Sequence, residues 1–166
     1  SPFDIDPPSE EWLTALTGFG WLRHLRAAES AITKANARSL VDEWMGLRGR
    51  MRAPPWRPEV QARRIMSFLS QASLLLQNAD GRFYRRFLRG LTREIQYLRA
   101  TLVDVPDGLA RLQAAIALSY ASLCLAQQAR AIPQATRRLA DELQRQILAD
   151  GGHVSRNPAA TIELLL

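Results

Sequence analysis

The chain has 166 residues, sized for one domain, and its 47% hydrophobic and 23% charged content is ordinary for a globular protein. Cys124 is the only cysteine, which excludes an intrachain disulfide; no metal-ligating cluster stands out, and the longest apolar runs are too short to span a membrane. The net charge is +6, and Lys34 is the only lysine, so arginine, the better residue for bidentate contact with carboxylate, sulfate or phosphate, supplies nearly all of the positive charge.

Residues 1–8, SPFDIDPP, hold three prolines and two aspartates and are expected to be extended. Ser9 is an N-cap for EEWLTALTGF, with two glutamates in the first turn where the helix dipole favours them. Gly18 and Gly20 punctuate that segment, and Trp21–Leu25 continues a helix or starts one. Ala27–Leu47 reads as a helix with Ile32, Leu40, Trp44 and Leu47 on one side. Residues 48–57 read as a loop broken by Gly49, Pro54 and Pro55, with Trp56 inside it.

Pro58–Glu59 opens a helix running to about Gln77, with Ile65, Phe68, Leu69, Ala72, Leu75 and Leu76 at helical spacing. After the turn at 78–81 comes the cleanest helix, about 81–103. Tyr84, Phe87, Leu88, Leu91, Ile95, Leu98 and Leu102 share its apolar face; Arg82, Arg85, Arg86, Arg89 and Arg93 share the other. That stripe reads first as a solvated face, with an acidic sugar or a nucleic-acid backbone as the functional alternative. No nucleic-acid motif accompanies it, so nucleic acid is not an expected partner.

Leu109–Gln127 is apolar nearly all round and is expected to be a central buried helix, with Cys124 as a core thiol. Pro133 starts the last long helix, with Leu139, Leu143 and Ile147 facing inward. It ends at Asp150-Gly151-Gly152-His153-Val154-Ser155-Arg156-Asn157-Pro158. Gly151 reads as a helix C-cap, and Asn157-Pro158 as the start of a final helix. Capping does not account for Gly152, His153, Ser155 or Arg156, whose donors, acceptors and fixed charge suit an anionic or hydroxyl-rich ligand as well as a structural corner. His153, Arg156 and Asn157 are expected to face a cleft, because an unpaired buried arginine is costly. Glu142 and Gln146 are read as bracing this corner, and His24 as structural. No segment alternates as a half-buried strand does, so about six or seven antiparallel-packed helices are expected, with no sheet of consequence.

Four segments together, GFGWLRHLRAA (18–28), VDEWM (41–45), PPWRPEVQARRI (54–65) and ELQRQILADGGHVSRNP (142–158), resemble the N-terminal helical domain of bacterial heparinase II/III-like proteins. The resemblance implies an all-α fold of antiparallel helical hairpins forming part of an incomplete (α/α) toroid. It implies a single helical domain over 1–166, read as an internal fragment of a longer chain whose C-terminal part, a β-sandwich, is absent. Such a chain is periplasmic or cytoplasmic, a choice that the residues leave open. The function it implies is the substrate-cleft domain of a polysaccharide lyase, acting by β-elimination on an acidic, uronic-acid-containing polysaccharide such as a glycosaminoglycan, with no cofactor. The alternative is a non-catalytic helical scaffold or binding domain retaining that fold. His153 is the one candidate for a catalytic role, and Arg156, Asn157, Gly152 and Trp56 are the candidate substrate-binding residues. Ala160-Thr161 stands where the lyases often carry Tyr-His, so the fragment alone is expected to be inactive. Trp12, Trp21 and Trp44, in helices, are read as core; Trp56, in its Pro-rich loop, is the cleft candidate.

Overall fold

A computed structural model describes residues 1–28, 30–47 and 54–165, the last by its backbone alone. Among these residues the regular structure is helical, with one isolated antiparallel bridge between Ile147 and His153. Helices α1 (Glu10–Gly18), α2 (Leu22–Ala27), α3 (Ala31–Gly46), α4 (Pro58–Ser70) and α5 (Ala72–Leu76) form the first half. Helices α6 (Gly81–Thr101), α7 (Leu109–Cys124), α8 (Ile132–Gln146) and α9 (Pro158–Leu165) form the second. The all-α expectation holds. Positions 48–53 of the expected loop lie outside the described residues.

Local chemistry sets most boundaries. Ser9, Ser30 and Asp80 each cap a helix by accepting backbone N–H groups: from Trp12 at 3.1 Å, from Thr33 at 3.0 Å, and from Arg82 and Phe83 at 2.8 Å. The two bonds to Asp80, that from Phe83 foremost, hold its carboxyl below the usual aspartate range. The expected helix over 27–47 is broken ahead of Ser30, where that cap begins α3 afresh. The expected helix over 58–77 is interrupted at Gln71, whose φ of −102° and ψ of 18° separate α4 from α5. The sharp turn after α1 falls on neither glycine. Phe19 itself takes the left-handed conformation, with φ 56°, and its ring is fully buried 4.8 Å from Phe68 and 5.1 Å from Trp21. Burial of an aromatic ring offsets the ~1 kcal/mol that a side chain costs in that region.

Packing runs through a row of helices: α3 lies against α6, α6 against α4, α4 against α7, and α7 against α8. Helix α7 is the central one. Ala114, Ala115, Ala117, Ser119, Ala121 and Ser122 are buried there, and such small side chains let α4 and α8 approach closely. Arg111 bonds Glu142, and the Ser119 hydroxyl donates to the Ala135 carbonyl, so α7 and α8 run antiparallel. The aromatic core lies at the other end of the row, where Phe3, Phe19, Trp44, Phe68, Phe83 and Phe87 are all buried.

Several inward faces differ from the expectation. Of the expected α3 face, Trp44 is buried and Leu40 and Leu47 pack against the core, but Ile32 is 74% exposed, and Ala37, Val41 and Met45 turn inward. Tyr84 is exposed, and its neighbour Phe83 is buried in its place. Cys124 is exposed at the end of α7 rather than in the core. Leu143 is exposed, because α8 turns Ala135, Glu142 and Gln146 inward.

Candidate functional site

The deepest polar cluster joins helices that are far apart in the sequence. Arg64 of α4 is fully buried and donates through Nε to Glu94 Oε2 of α6 at 2.6 Å. Its Nη1 donates to the carbonyls of Thr17 (2.8 Å) and Pro55 (3.1 Å). Trp44 Nε1 donates to the other Glu94 oxygen at 2.8 Å. The Arg64 guanidinium lies over Trp44 at 4.5 Å and over Trp56 at 5.4 Å, so two indoles flank the buried cation. This cluster ties α1, the Pro54-Pro55 segment, α3, α4 and α6 together. Trp56, expected to line a cleft, is half-buried here, with Trp44 and Tyr97 at 6.0 and 5.6 Å.

The glycine corner is a small hairpin. The Leu148 N–H donates to the Gly152 carbonyl, and the Gly151 N–H to the Leu148 carbonyl, both at 2.9 Å. Gly151 has φ 81°, a value that suits glycine at the end of a tight hairpin loop. The Gly152 N–H and the Arg156 Nη1 both reach the Asp150 carboxylate, at 3.0 and 2.6 Å. Those bonds, Gly152 first, hold the Asp150 carboxyl below its usual range.

His153 does not face a cleft. It is 6% exposed, with Nε2 3.0 Å from Gln146 Oε1 and Nδ1 2.8 Å from the Ser155 hydroxyl. The isolated bridge to Ile147 holds it against α8, where Gln146 Nε2 donates to Glu142 at 2.7 Å. Glu142 also accepts from Arg111 at 2.9 Å and from Arg145. Glu142 and Gln146 therefore brace the corner. Arg156 and Asn157 are exposed, and Asn157 Oδ1 accepts the Ala159 N–H at 3.0 Å as the N-cap of α9. The structure keeps His153, Gly152, Arg156 and Asn157 together, with His153 turned inward, and leaves Trp56 in the separate aromatic cluster.

Among the described residues, two surface recesses of several hundred Å³ stand out. One, about 530 Å³, is lined by Trp21, Met66, Gln71, Gln113, Ile116 and Tyr120, with Glu163 and Leu164 of α9 at its edge. His24, read as structural, is exposed on its rim, and burial beside Cys124 pushes the Tyr120 hydroxyl up from its usual range. The other, about 610 Å³, is a groove between α3 and α6 lined by Met45, Arg82, Arg86, Arg89 and Arg93. Gly90 forms the crossing point beneath it, since a Cβ there would run into Met45 Sδ. Four arginines at spacings of four, three and four residues form a straight row along α6. Asp42 pairs with Arg86 at 3.1 Å, and no carboxylate among the described residues lies within ion-pair distance of Arg82, Arg89 or Arg93.

Fold and surface thus define an all-helical domain with an arginine-lined groove. No family model matches the chain, and no solved structure matches it. It is similar to FtsZ-localized protein C of Caulobacter vibrioides (strain NA1000 / CB15N), at 30% identity over 166 residues. That stretch is 99% of this chain and 28% of the relative, so the chain spans a little over a quarter of the protein it matches. The comparison overturns the heparinase II/III reading, and with it the lyase activity, the β-elimination and the acidic-polysaccharide partner. Three of the segments that suggested it are helix punctuation, a left-handed turn at Phe19, a proline start at α4 and a hairpin after α8, and the fourth, VDEWM, carries the buried face of α3. Helical domains share such features whatever they do.

Proposed function

We propose that this chain is a helical protein-binding module of a protein that localises with FtsZ. The observation that carries this reading is the α6 groove, where no carboxylate among the described residues pairs with Arg82, Arg89 or Arg93. Arginine is enriched at protein interfaces, and a row set on one helix meets a partner without further ordering of the backbone. The likeness to FtsZ-localized protein C supplies the partner's context. On this reading residues 1–166 act as one helical unit of a longer chain, and the same row of helices, continued, would build a partial (α/α) toroid, the arrangement that the family resemblance had implied. The glycine corner with Gly152, Arg156 and Asn157 serves as the brace between α8 and α9, His153 serves as its buried hydrogen-bonding post, and Trp56 serves as packing.

The test is co-sedimentation with polymerised FtsZ. The wild-type chain should pellet with the polymer, and Arg89→Glu/Arg93→Glu should reduce the bound fraction at least about tenfold, a loss of ~1.4 kcal/mol. Equal pelleting of both proteins, or of neither, would overturn the reading.

A further inference from the structure

We propose that the α6 groove takes an extended acidic peptide with carboxylates at alternate positions; the inference rests on the protein-binding reading and names the chemistry of the bound segment. Arg82, Arg86, Arg89 and Arg93 span twelve residues of α6, so at 1.5 Å per step the row is about 16 Å long. Successive arginines along it are separated by about 4.5 to 6 Å. An extended peptide places side chains i and i+2 on one edge about 6.6 Å apart, so about five residues cover the row with three carboxylates facing it. Each guanidinium presents a planar fork that a carboxylate meets with two hydrogen bonds.

The groove carries more positive charge than its surroundings neutralise. Arg86 is paired with Asp42, and Arg89 Nε donates to the Arg85 carbonyl at 3.2 Å, leaving the rest of its fork directed outward. The Asp80 carboxylate, which caps α6 at the Arg82 end, is taken up by the N–H groups of Arg82 and Phe83. Glu94, the one acidic residue of α6, is buried against Arg64. Nothing within the described residues completes the row.

Two other anionic surfaces fit less well. Non-specific binding of single-stranded nucleic acid combines a basic groove with aromatic rings on which bases stack, and among the described residues no aromatic side chain lines this groove. A lipid surface engages faces that offer apolar side chains for insertion, whereas among the described residues the one apolar lining residue is Met45, 7% exposed on the floor.

The experiment titrates the whole chain, at about 50 mM salt where screening is weak, against three probes. The first is a fluorescent peptide alternating Glu and Thr, with a Gln-for-Glu control; the others are a single-stranded oligonucleotide and vesicles containing phosphatidylglycerol. The Glu peptide should bind, the Gln peptide should not, and Arg89→Glu/Arg93→Glu should weaken binding at least about tenfold. Arg130→Glu/Arg137→Glu, the same charge change at two exposed positions away from the groove, should leave affinity within about twofold. Equal losses in both double variants would reduce the effect to net charge and overturn the proposal, as would preference for the oligonucleotide or the vesicles. If the peptide fails while arginine-dependent co-sedimentation persists, the acidic-segment inference alone falls. If the peptide binds and co-sedimentation fails, the inference stands and the partner is a different protein.

Discussion

Arg64 of α4 and Glu94 of α6 form a buried ion pair, with Nε 2.6 Å from Oε2, at the point where five segments of the chain meet. Trp44 completes the second carboxylate oxygen, and the Thr17 and Pro55 carbonyls take the guanidinium. A buried pair owes its net stability to such added bonds, because desolvating both charges offsets much of their attraction. Arg64→Met leaves a buried carboxylate without its cation and should cost roughly 3–5 kcal/mol, a large share of a typical domain's stability. Adding Glu94→Gln should recover more than half of that loss. Urea unfolding of the single and double variants measures both. A loss below about 1 kcal/mol for Arg64→Met would show that the pair contributes little.

Helix α3 crosses α6 over Gly90, with Met45 Sδ occupying the space of the absent side chain. Gly90→Ala should destabilise the domain by roughly 1–3 kcal/mol through overpacking, although alanine is the better helix former. Met45→Ala introduced with it should relieve part of the loss. Thermal unfolding decides the sign, and a rise in Tm for Gly90→Ala alone would show that the crossing is loose.

Asn157 caps α9, and Arg156 beside it pairs with Asp150 at the surface. Asn157→Ala should cost about 1 kcal/mol, as loss of an N-cap does. Arg156→Ala should change stability little, because both partners of its ion pair are more than half exposed. Chemical denaturation of the two variants tests this, and the reverse ranking would make Arg156 the structural residue of the corner.

Asp80 caps α6 as a carboxylate held below its ordinary range, mainly by the Phe83 N–H. A depressed carboxyl contributes stability that is fully present above the unfolded-state value and is lost as pH falls through the folded one. Asp80→Ala should therefore lower Tm at pH 7, and the gap to wild type should close as pH drops toward about 3. A gap constant across that range would mean that the cap acts without its charge.

The sequence by itself determined the helical class and much of its punctuation. Ser9, Pro58 and Asn157-Pro158 act through backbone groups within a few residues, so local chemistry suffices to read them. The row from Arg82 to Arg93 was equally legible, because helical spacing alone aligns those side chains. What they line was decided by tertiary structure: α3 has to cross at Gly90 before a row of arginines becomes a groove. The same holds for Arg64 and Glu94, each of which reads as a surface charge until the other helix is placed against it. His153 and Cys124 exchanged expectations for one reason. Burial depends on what packs over a position, and the hairpin folds His153 onto α8 while the end of α7 stays exposed.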